Sequence, residues 1–292
     1  MTPKAVSAEP IEVEVISADW PIRLVVNREY LMPLRQQGLL EGDALLTLAG
    51  HSLVKKHYHH GVCDRVIDKV ILGGEDIKAY RKICIDFSFP KTVKHRLAGV
   101  RNVPHRDWIA NLNLAATGIP VAKPIALIEK RTGPFSSQAA ILTAELSGYQ
   151  SISQLLRQTY RQDCRQTSVD LKKQITDMLI RLLSQLIQAG AINPTLSSKH
   201  IFLKHDNGAL SYALIDAGRS RLVVQLKEGH LVKPLSVLHR SMPLELFSSA
   251  DRLRLFKRVF CSRNSCSSRK RFIKRITRKV SQRGFKNIDT TE

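Results

Sequence analysis

The sequence predicts an α+β fold with two lobes, and three patterns along its 292 residues indicate it. Short apolar runs separated by glycine-containing turns dominate residues 53–146, which is typical of a small antiparallel sheet. Leucine, isoleucine and methionine then recur every three or four residues from 171 to 187, which predicts a long core helix ending at Gly190. Two short strands around Asn207 and Gly208 follow, because Asn-Gly is a strong hairpin signal.

The remaining elements of both lobes follow from local patterns. Trp108, Leu112 and Ala116 lie near helical spacing, and Gly118 with the proline after it is a helix stop, so a helix is predicted at 105–117. Strands are predicted within 53–81 and at 121–128, 139–146, 200–204 and 211–216, and a short helix at 151–158.

These elements divide the chain into four predicted regions. Residues 1–50 are expected to be an N-terminal leader, in which 34–46 forms a short helical segment. The sheet lobe is predicted at 51–147, the helical lobe at 148–251, and a basic amphipathic tail at 252–292.

The tail carries much of the formal charge of +21, because residues 252–286 contain 14 Lys and Arg and no Asp or Glu. Apolar residues at helical spacing within it predict amphipathic helices: Leu253, Phe256, Phe260, Phe272, Ile276 and Val280. A cationic helix face suits an anionic membrane surface. Nucleic acid is the less favoured partner, since the tail has no zinc-finger spacing or aromatic stacking motif. A third interpretation also stays open, in which the tail is simply solvated and binds no partner.

Other compositional signals exclude several classes of protein. No apolar run approaches the roughly 18 residues of a membrane span, and residues 1–10 lack the apolar core of a signal peptide, so a cytoplasmic location is expected. Five cysteines at scattered spacings, without a C-x-x-C pair, indicate neither a disulfide framework nor a zinc cage. We interpret the histidines around Tyr58 as a solvated turn, because adjacent strand residues point to opposite faces.

Six strings follow one another in a characteristic order along the chain: IKAYRK at 77–82, RDWIANLNLAATGIPVAKP at 106–124, ILTAEL at 141–146, KHIFL at 199–203, LIDAGRSR at 214–221 and LSVLHRS at 235–241. In this order they resemble the lipopolysaccharide kinase family, the kinase-like enzymes that phosphorylate Kdo or heptose in the inner core of Gram-negative outer membranes. The resemblance covers roughly residues 35–262.

The resemblance implies a protein-kinase-like two-lobed fold, with ATP and Mg²⁺ as cofactors. Lys78 would hold the nucleotide phosphates and Asp107 would orient that lysine. Backbone groups of Glu145 and Leu146 would contact adenine, and Asp216 would bind magnesium.

The expected catalytic loop departs from the family pattern at two positions. Thr195 falls where the family has the aspartate that accepts the substrate proton, and His200 falls where kinases place a magnesium-binding asparagine. Three hypotheses therefore stay open. The first is an ATP-dependent kinase acting on a lipid-linked core oligosaccharide at the inner membrane, and the second is an inactive pseudokinase that binds nucleotide or a partner. The third is a nucleic-acid binder acting through the tail.

Overall fold

The computed structural model describes residues 11–17, 21–57, 63–72, 77–86, 102–133, 136–161, 165–206, 209–243, 247–260 and 266–281. The chain divides into two compact units, Met1–Glu145 and Leu146–Glu292. The Asn207-Gly208 turn, Tyr58 and the histidines after it, and the first and last ten residues of the chain lie outside the described residues.

A seven-stranded antiparallel sheet forms the first unit, in the order β1-β2-β6-β7-β5-β4-β3. Its strands are β1 Val13–Ser17, β2 Ile22–Asn27, β3 His51–His57, β4 Cys63–Leu72, β5 Ile77–Asp86, β6 Pro124–Arg131 and β7 Ser137–Ala144. The first-lobe sheet expected from the alternating apolar runs is therefore present.

Helices cover both faces of this sheet. Two short helices, α1 Leu31–Gln36 and α2 Ala44–Thr47, pack on one face through Leu34 and Leu45, which are fully buried. A longer helix, α3 Val103–Ala116, packs on the other face. Its Trp108 joins a buried cluster with Val25, Leu127 and Ile141, one residue each from β2, β6 and β7.

The N-terminal segment differs from the leader predicted at 1–50. Its strands β1 and β2 extend the sheet beyond β6, and α1 and α2 belong to the sheet core. The physical reason is that Leu34, Leu39 and Leu45 share a buried cluster with strand residues between 24 and 142, and contacts between segments so far apart in sequence leave no local signal. The segment is part of the first unit.

Asn102 determines where α3 begins. Its side-chain oxygen accepts a hydrogen bond from the backbone N–H of His105 at 2.8 Å, which satisfies one of the unpaired amides at the helix start. The helix ends before Gly118, whose φ of +77° is a backbone conformation that glycine adopts without strain. The helix predicted at 105–117 is confirmed within two residues at each end.

The second unit is mainly helical. Its elements are β8 Gln150–Ser151, α4 Ile152–Arg161, α5 Arg165–Gln188, β9 Ala191–Ile192, β10 Ile201–Asp206, β11 Ala209–Leu214, β12 Arg221–Leu222, α6 Glu228–Ser241, α7 Ser249–Phe260 and α8 Cys266–Ser281. The periodic apolar stripe of α5 is buried, as predicted. The strands form two small sheets, β11-β10-β8 and β12-β9.

The basic tail is folded onto the second unit rather than separate from it. Helix α7 packs against α5, and α8 packs against α6. The apolar stripe of α8 is therefore used inside the protein, since Phe272, Ile276 and Val280 are at most 4% exposed. The amphipathic helices predicted at 252–292 exist over the described part, but this chain covers Phe256 of α7 and the apolar stripe of α8, whereas Leu253 of α7 is 38% exposed. Within the described residues, no helix has both the length and the apolar character that crossing a bilayer requires.

Candidate functional site

Strand β5 brings a lysine and a carboxylate together in the first unit. Successive side chains of a strand alternate between faces, so Lys78, Tyr80 and Lys82 share the face that α3 covers. The ammonium of Lys82 donates to Asp107 Oδ2 at 2.5 Å, and both side chains are largely buried, 15% and 7% exposed. The other oxygen of Asp107 is buried and has no hydrogen bond among the residues that the structure describes, with Arg106 Nη2 3.6 Å away.

The partner of Asp107 is therefore Lys82, where Lys78 was expected. Lys78 is exposed at the beginning of β5, and its backbone carbonyl accepts a hydrogen bond from the Glu145 N–H. Lys82 lies opposite Ile141 in the middle of the sheet, and Ile141 packs against Trp108 of α3. Helix α3 crosses the sheet next to Lys82, and for that reason Lys82, rather than Lys78, pairs with Asp107. A nucleotide role for Lys78 stays a prediction.

Glu145 takes part in a polar cluster at the end of β7. Its carboxylate accepts hydrogen bonds from Lys69 at 2.7 Å and from the Tyr80 hydroxyl at 3.3 Å. The hydrogen bond to Glu145 raises the pKa of Lys69, and burial followed by the Glu145 charge raises the pKa of Tyr80. Leu146, the other residue predicted to contact adenine, accepts the Tyr149 N–H through its carbonyl. The adenine role of both residues stays a prediction.

Thr195 lies in the loop that follows β9 in the second unit. The side-chain oxygen of buried Asn193 accepts from the Thr195 N–H at 3.0 Å and from the Thr195 hydroxyl at 2.9 Å. Asn193 therefore binds both the backbone and the side chain of Thr195. A threonine hydroxyl is a poor proton acceptor at neutral pH, so this geometry supplies no general base at position 195.

The structure does bring the two predicted metal residues together. His200 Nε2 is 3.9 Å from Asp216 Oδ2, and the other ring nitrogen of His200 is 3.1 Å from the Thr195 carbonyl. A backbone hydrogen bond also links the two segments, because the N–H of Ile215, the residue before Asp216, donates to the His200 carbonyl at 3.0 Å. Asp216 has a φ of +50°, which is uncommon outside glycine and occurs more often at functional sites.

These residues fit one magnesium ion better than two. Magnesium is often held by one or two carboxylates together with water and substrate phosphates, and Asp216 could supply that carboxylate. Imidazole is a softer ligand, so His200 is a poor replacement for a second oxygen donor. Among the described residues, no group of three or more His, Cys, Asp or Glu side chains could hold a metal ion.

Sequence reasoning missed Lys82 because two lysines share one face of the same strand. A usable signal was present, since the apolar residues Ile83, Cys84 and Ile85 continue the strand beyond Lys82, so that the second lysine lies closer to the middle of the strand. The first unit thus has a buried lysine–carboxylate pair between a central strand and a helix. In active protein kinases, a strand lysine and a helix glutamate form such a pair.

An antiparallel sheet carrying this pair, followed by a helical unit, defines a protein-kinase-like fold, and the alignment with one solved structure at a TM-score of 0.64 supports this. A structure described as WaaP in complex with acyl carrier protein aligns over 89% of this chain and 98% of that chain, with a TM-score of 0.64 and 18% identity. The ROP18 kinase domain in complex with AMP-PNP and sucrose aligns over 60% and 53%, with a TM-score of 0.39 and 12% identity.

The sequence comparison identifies the family. The sequence model of the lipopolysaccharide kinase (Kdo/WaaP) family matches residues 72–258, more than half of the chain. No curated protein sequence matches the chain. The chain belongs to the lipopolysaccharide kinase (Kdo/WaaP) family, which confirms the resemblance found in its motifs.

Proposed function

We propose that this protein binds ATP with one magnesium ion and transfers phosphate to an inner-core sugar only slowly. The observation that carries the proposal is a contrast between two places in the chain. The buried pair of Lys82 with Asp107 is intact, whereas Thr195 stands where the family has its proton acceptor. Lipopolysaccharide core phosphorylation is the reaction class of the family, and the acceptor would be a lipid-linked core oligosaccharide carrying Kdo or heptose.

The proposed roles follow from the geometry within each unit. Lys82 would neutralise nucleotide phosphates, and Asp107 would hold its ammonium in place from α3. Asp216 would hold the magnesium ion, which would offset phosphate charge when bound. Phosphoryl transfer depends mainly on positioning and charge neutralisation, so the missing base need not abolish it. General-base catalysis typically contributes about 10²- to 10⁴-fold, and the rate is expected to be lower by that factor.

Thermal unfolding with and without MgATP tests the binding proposal. ATP at about 100 times its Kd should stabilise the intact protein by about 2.7 kcal/mol, which is a shift of several degrees. Lys82→Met and Asp216→Asn should lose the shift. Lys130→Met is the control, because Lys130 also pairs with an aspartate, Asp43, at 2.5 Å in the same unit, at a more exposed position, and has no proposed role in binding. A shift that survives Lys82→Met would refute the assignment.

Transfer to core oligosaccharide tests the catalytic part. The intact protein should be well below the 1–100 s⁻¹ typical of kinases. Thr195→Asp should raise the rate, because it restores a carboxylate at the position of the base. A wild-type rate within the usual kinase range would show that another group acts as the base.

We also propose that α8 attaches the protein to the anionic inner surface of the cytoplasmic membrane. Its exposed residues include five cations: Lys270, Arg271, Lys274, Arg275 and Arg278. On a helix these lie within about 140° of each other, opposite the buried apolar stripe. Because that stripe packs on α6, attachment would be electrostatic rather than by insertion, at about 1 kcal/mol for each cation near the headgroups.

Sedimentation with vesicles tests this attachment. Binding to vesicles containing phosphatidylglycerol should be lost with Lys274→Glu/Arg278→Glu and at high salt, and should be absent with neutral vesicles. Lys257→Glu, a charge reversal at an exposed position of α7, is the control and should retain most of the binding. Stronger binding to an RNA oligonucleotide than to the vesicles would instead favour the nucleic-acid hypothesis.

A further inference from the structure

Helix α3 is connected to the N-terminal strands through a chain of polar contacts. Asn102, whose oxygen caps α3, donates from its side-chain nitrogen to Glu129 Oε1 at 2.6 Å. The other oxygen of Glu129 accepts from Arg23 Nη1 at 2.9 Å. Arg23 and Glu129 lie opposite each other in β2 and β6. One carboxylate therefore joins the helix cap to β2.

These contacts are protected from solvent where they meet α3. Asn102 is 4% exposed and the Glu129 side chain is 9% exposed, while Arg23 is partly exposed at 27%. A hydrogen bond from an amide to a buried carboxylate is charge-assisted and stronger than a neutral one. Replacing Glu129 with an apolar residue would leave the Asn102 amide buried without this acceptor. The position of the helix start therefore depends on Glu129.

The same strand β2 also supports α3 by packing, because Val25 lies in the buried cluster with Trp108. Trp108 follows Asp107 directly in α3. Strand β2 thus contacts α3 at two places, the cap and the residue next to the carboxylate that binds Lys82. Residues 22–27 lie outside the stretch 72–258 that matches the family model.

The length of the Asp107 side chain makes this support important. An aspartate is one methylene shorter than the glutamate usual in kinases, so the helix must lie closer to β5 for the carboxylate to reach Lys82. A small shift of α3 would then break a contact that is 2.5 Å in the structure. We propose that Glu129 is a positioning residue, which fixes α3 through Asn102 and so holds Asp107 against Lys82.

Lysine labelling without nucleotide tests this proposal directly. A small acylating reagent followed by peptide mass spectrometry gives the labelling rate of Lys82 relative to Lys78, an exposed lysine on the same strand that serves as an internal reference. Glu129→Ala should raise this ratio about fivefold or more, as expected for loss of a helix-cap interaction. Glu129→Gln keeps an acceptor for Asn102 and should restore the ratio to within about twofold of wild type.

The control separates positioning from a general loss of stability. Asp43→Ala removes a carboxylate that pairs with Lys130 of β6, the neighbour of Glu129 in sequence, and should leave the ratio unchanged. The proposal is overturned if Glu129→Ala leaves the ratio unchanged, or if Asp43→Ala raises it equally.

The link to function rests on the proposed nucleotide binding and is tested by a separate measurement. The Kd for MgATP should rise about fivefold or more in Glu129→Ala and stay near wild type in Glu129→Gln and Asp43→Ala. A wild-type protein that does not bind ATP would refute the proposed function, while the labelling ratio would still decide whether Glu129 positions Asp107. Binding that is unchanged in Glu129→Ala would limit Glu129 to a structural role.

Discussion

Arg81 and Lys82 are neighbours in β5, yet their environments on the two faces of the sheet differ. On the α2 face, Arg81 donates to both oxygens of Asp68 and to the carbonyls of Leu45 and Leu46. The two charged side chains are 4% and 6% exposed. Both carboxylate oxygens are used, and the guanidinium also binds the end of α2, so this pair joins α2 to the sheet.

On the α3 face, the ion pair of Lys82 with Asp107 is formed through a single carboxylate oxygen. Among the described residues, the other Asp107 oxygen has no hydrogen bond, although Arg106 Nη2 lies 3.6 Å away, and the Lys82 side chain is 15% exposed. A buried acceptor that lacks a hydrogen bond commonly costs about 1–3 kcal/mol of stability, and the Arg106 charge offsets part of that cost. The comparison teaches that neighbouring cations of one strand can be bound differently: Arg81 uses both oxygens of its carboxylate, as is typical of a structural ion pair, whereas Lys82 uses one.

Substitution of Arg81 should have the largest effect. Arg81→Met would leave Asp68 as a buried, unpaired charge, so the free energy of unfolding measured in urea should fall by about 3–5 kcal/mol. Replacing both partners, Arg81→Met with Asp68→Leu, should recover much of the loss because no buried charge remains. A loss below about 1 kcal/mol in the single variant would break the comparison.

Substitution of Lys82 should cost less stability than substitution of Arg81. Lys82→Met removes one hydrogen bond to Asp107, and Arg106 stays near the other oxygen, so a loss of about 1–3 kcal/mol is expected. The same urea titrations measure it. Equal losses for Lys82→Met and Arg81→Met would mean that both pairs are structural.

A third buried cation, Arg252, extends the comparison to the second unit. Its guanidinium donates to the backbone carbonyls of Phe247, Met242 and His239 and lies beside the His239 ring. Burial, and then the Arg252 charge, lower the pKa of His239 from 6.5 to about 4.

This lowered pKa gives the stability a pH dependence. The unfolded chain takes up a proton at His239 near pH 6.5, but the folded protein does so only near pH 4. The stability associated with neutral His239 is therefore complete above about pH 6.5 and declines as the pH falls toward 4. Unfolding in urea at several pH values should show this decline, and His239→Gln should remove it. A decline that is the same in His239→Gln would assign it to other groups.

Substitution of Lys78 should have the smallest effect. Its side chain is exposed, so Lys78→Ala should change the free energy of unfolding by less than about 0.5 kcal/mol. The same variant distinguishes the two lysines in the MgATP assay. Loss of the thermal shift in Lys78→Ala, with the shift kept in Lys82→Met, would return the nucleotide role to the residue that the family motif indicated.

Local patterns predicted much of this fold. The helix at 103–116 has a cap, a period and a glycine stop, and the stripe of α5 repeats over five turns, so each was visible within its own segment. The partners of the N-terminal strands and of α8 were not visible, because they depend on contacts between distant segments. An amphipathic helix has the same sequence whether it packs on a membrane or on α6.

The sequence predicted which types of residue form the site, but it was less accurate about which position each one occupies. His200 and Asp216 were predicted together and lie 3.9 Å apart. Asp107 was also predicted, but its partner was not. The side-chain alternation of a strand gives Lys78 and Lys82 the same face, and only the crossing point of α3 distinguishes them.

The position of β2 in the sheet affects how the chain can fold during its synthesis. Val26 of β2 pairs with Ala126 of β6, so the ribosome must add about 100 residues before this pairing can form. Because synthesis proceeds at about 5–20 residues per second, one edge of β2 stays unpaired for about 5–20 s. During that interval its apolar residues, including Val25, are available to chaperones or to other nascent chains. Production of this protein should therefore be sensitive to translation speed and to chaperone supply.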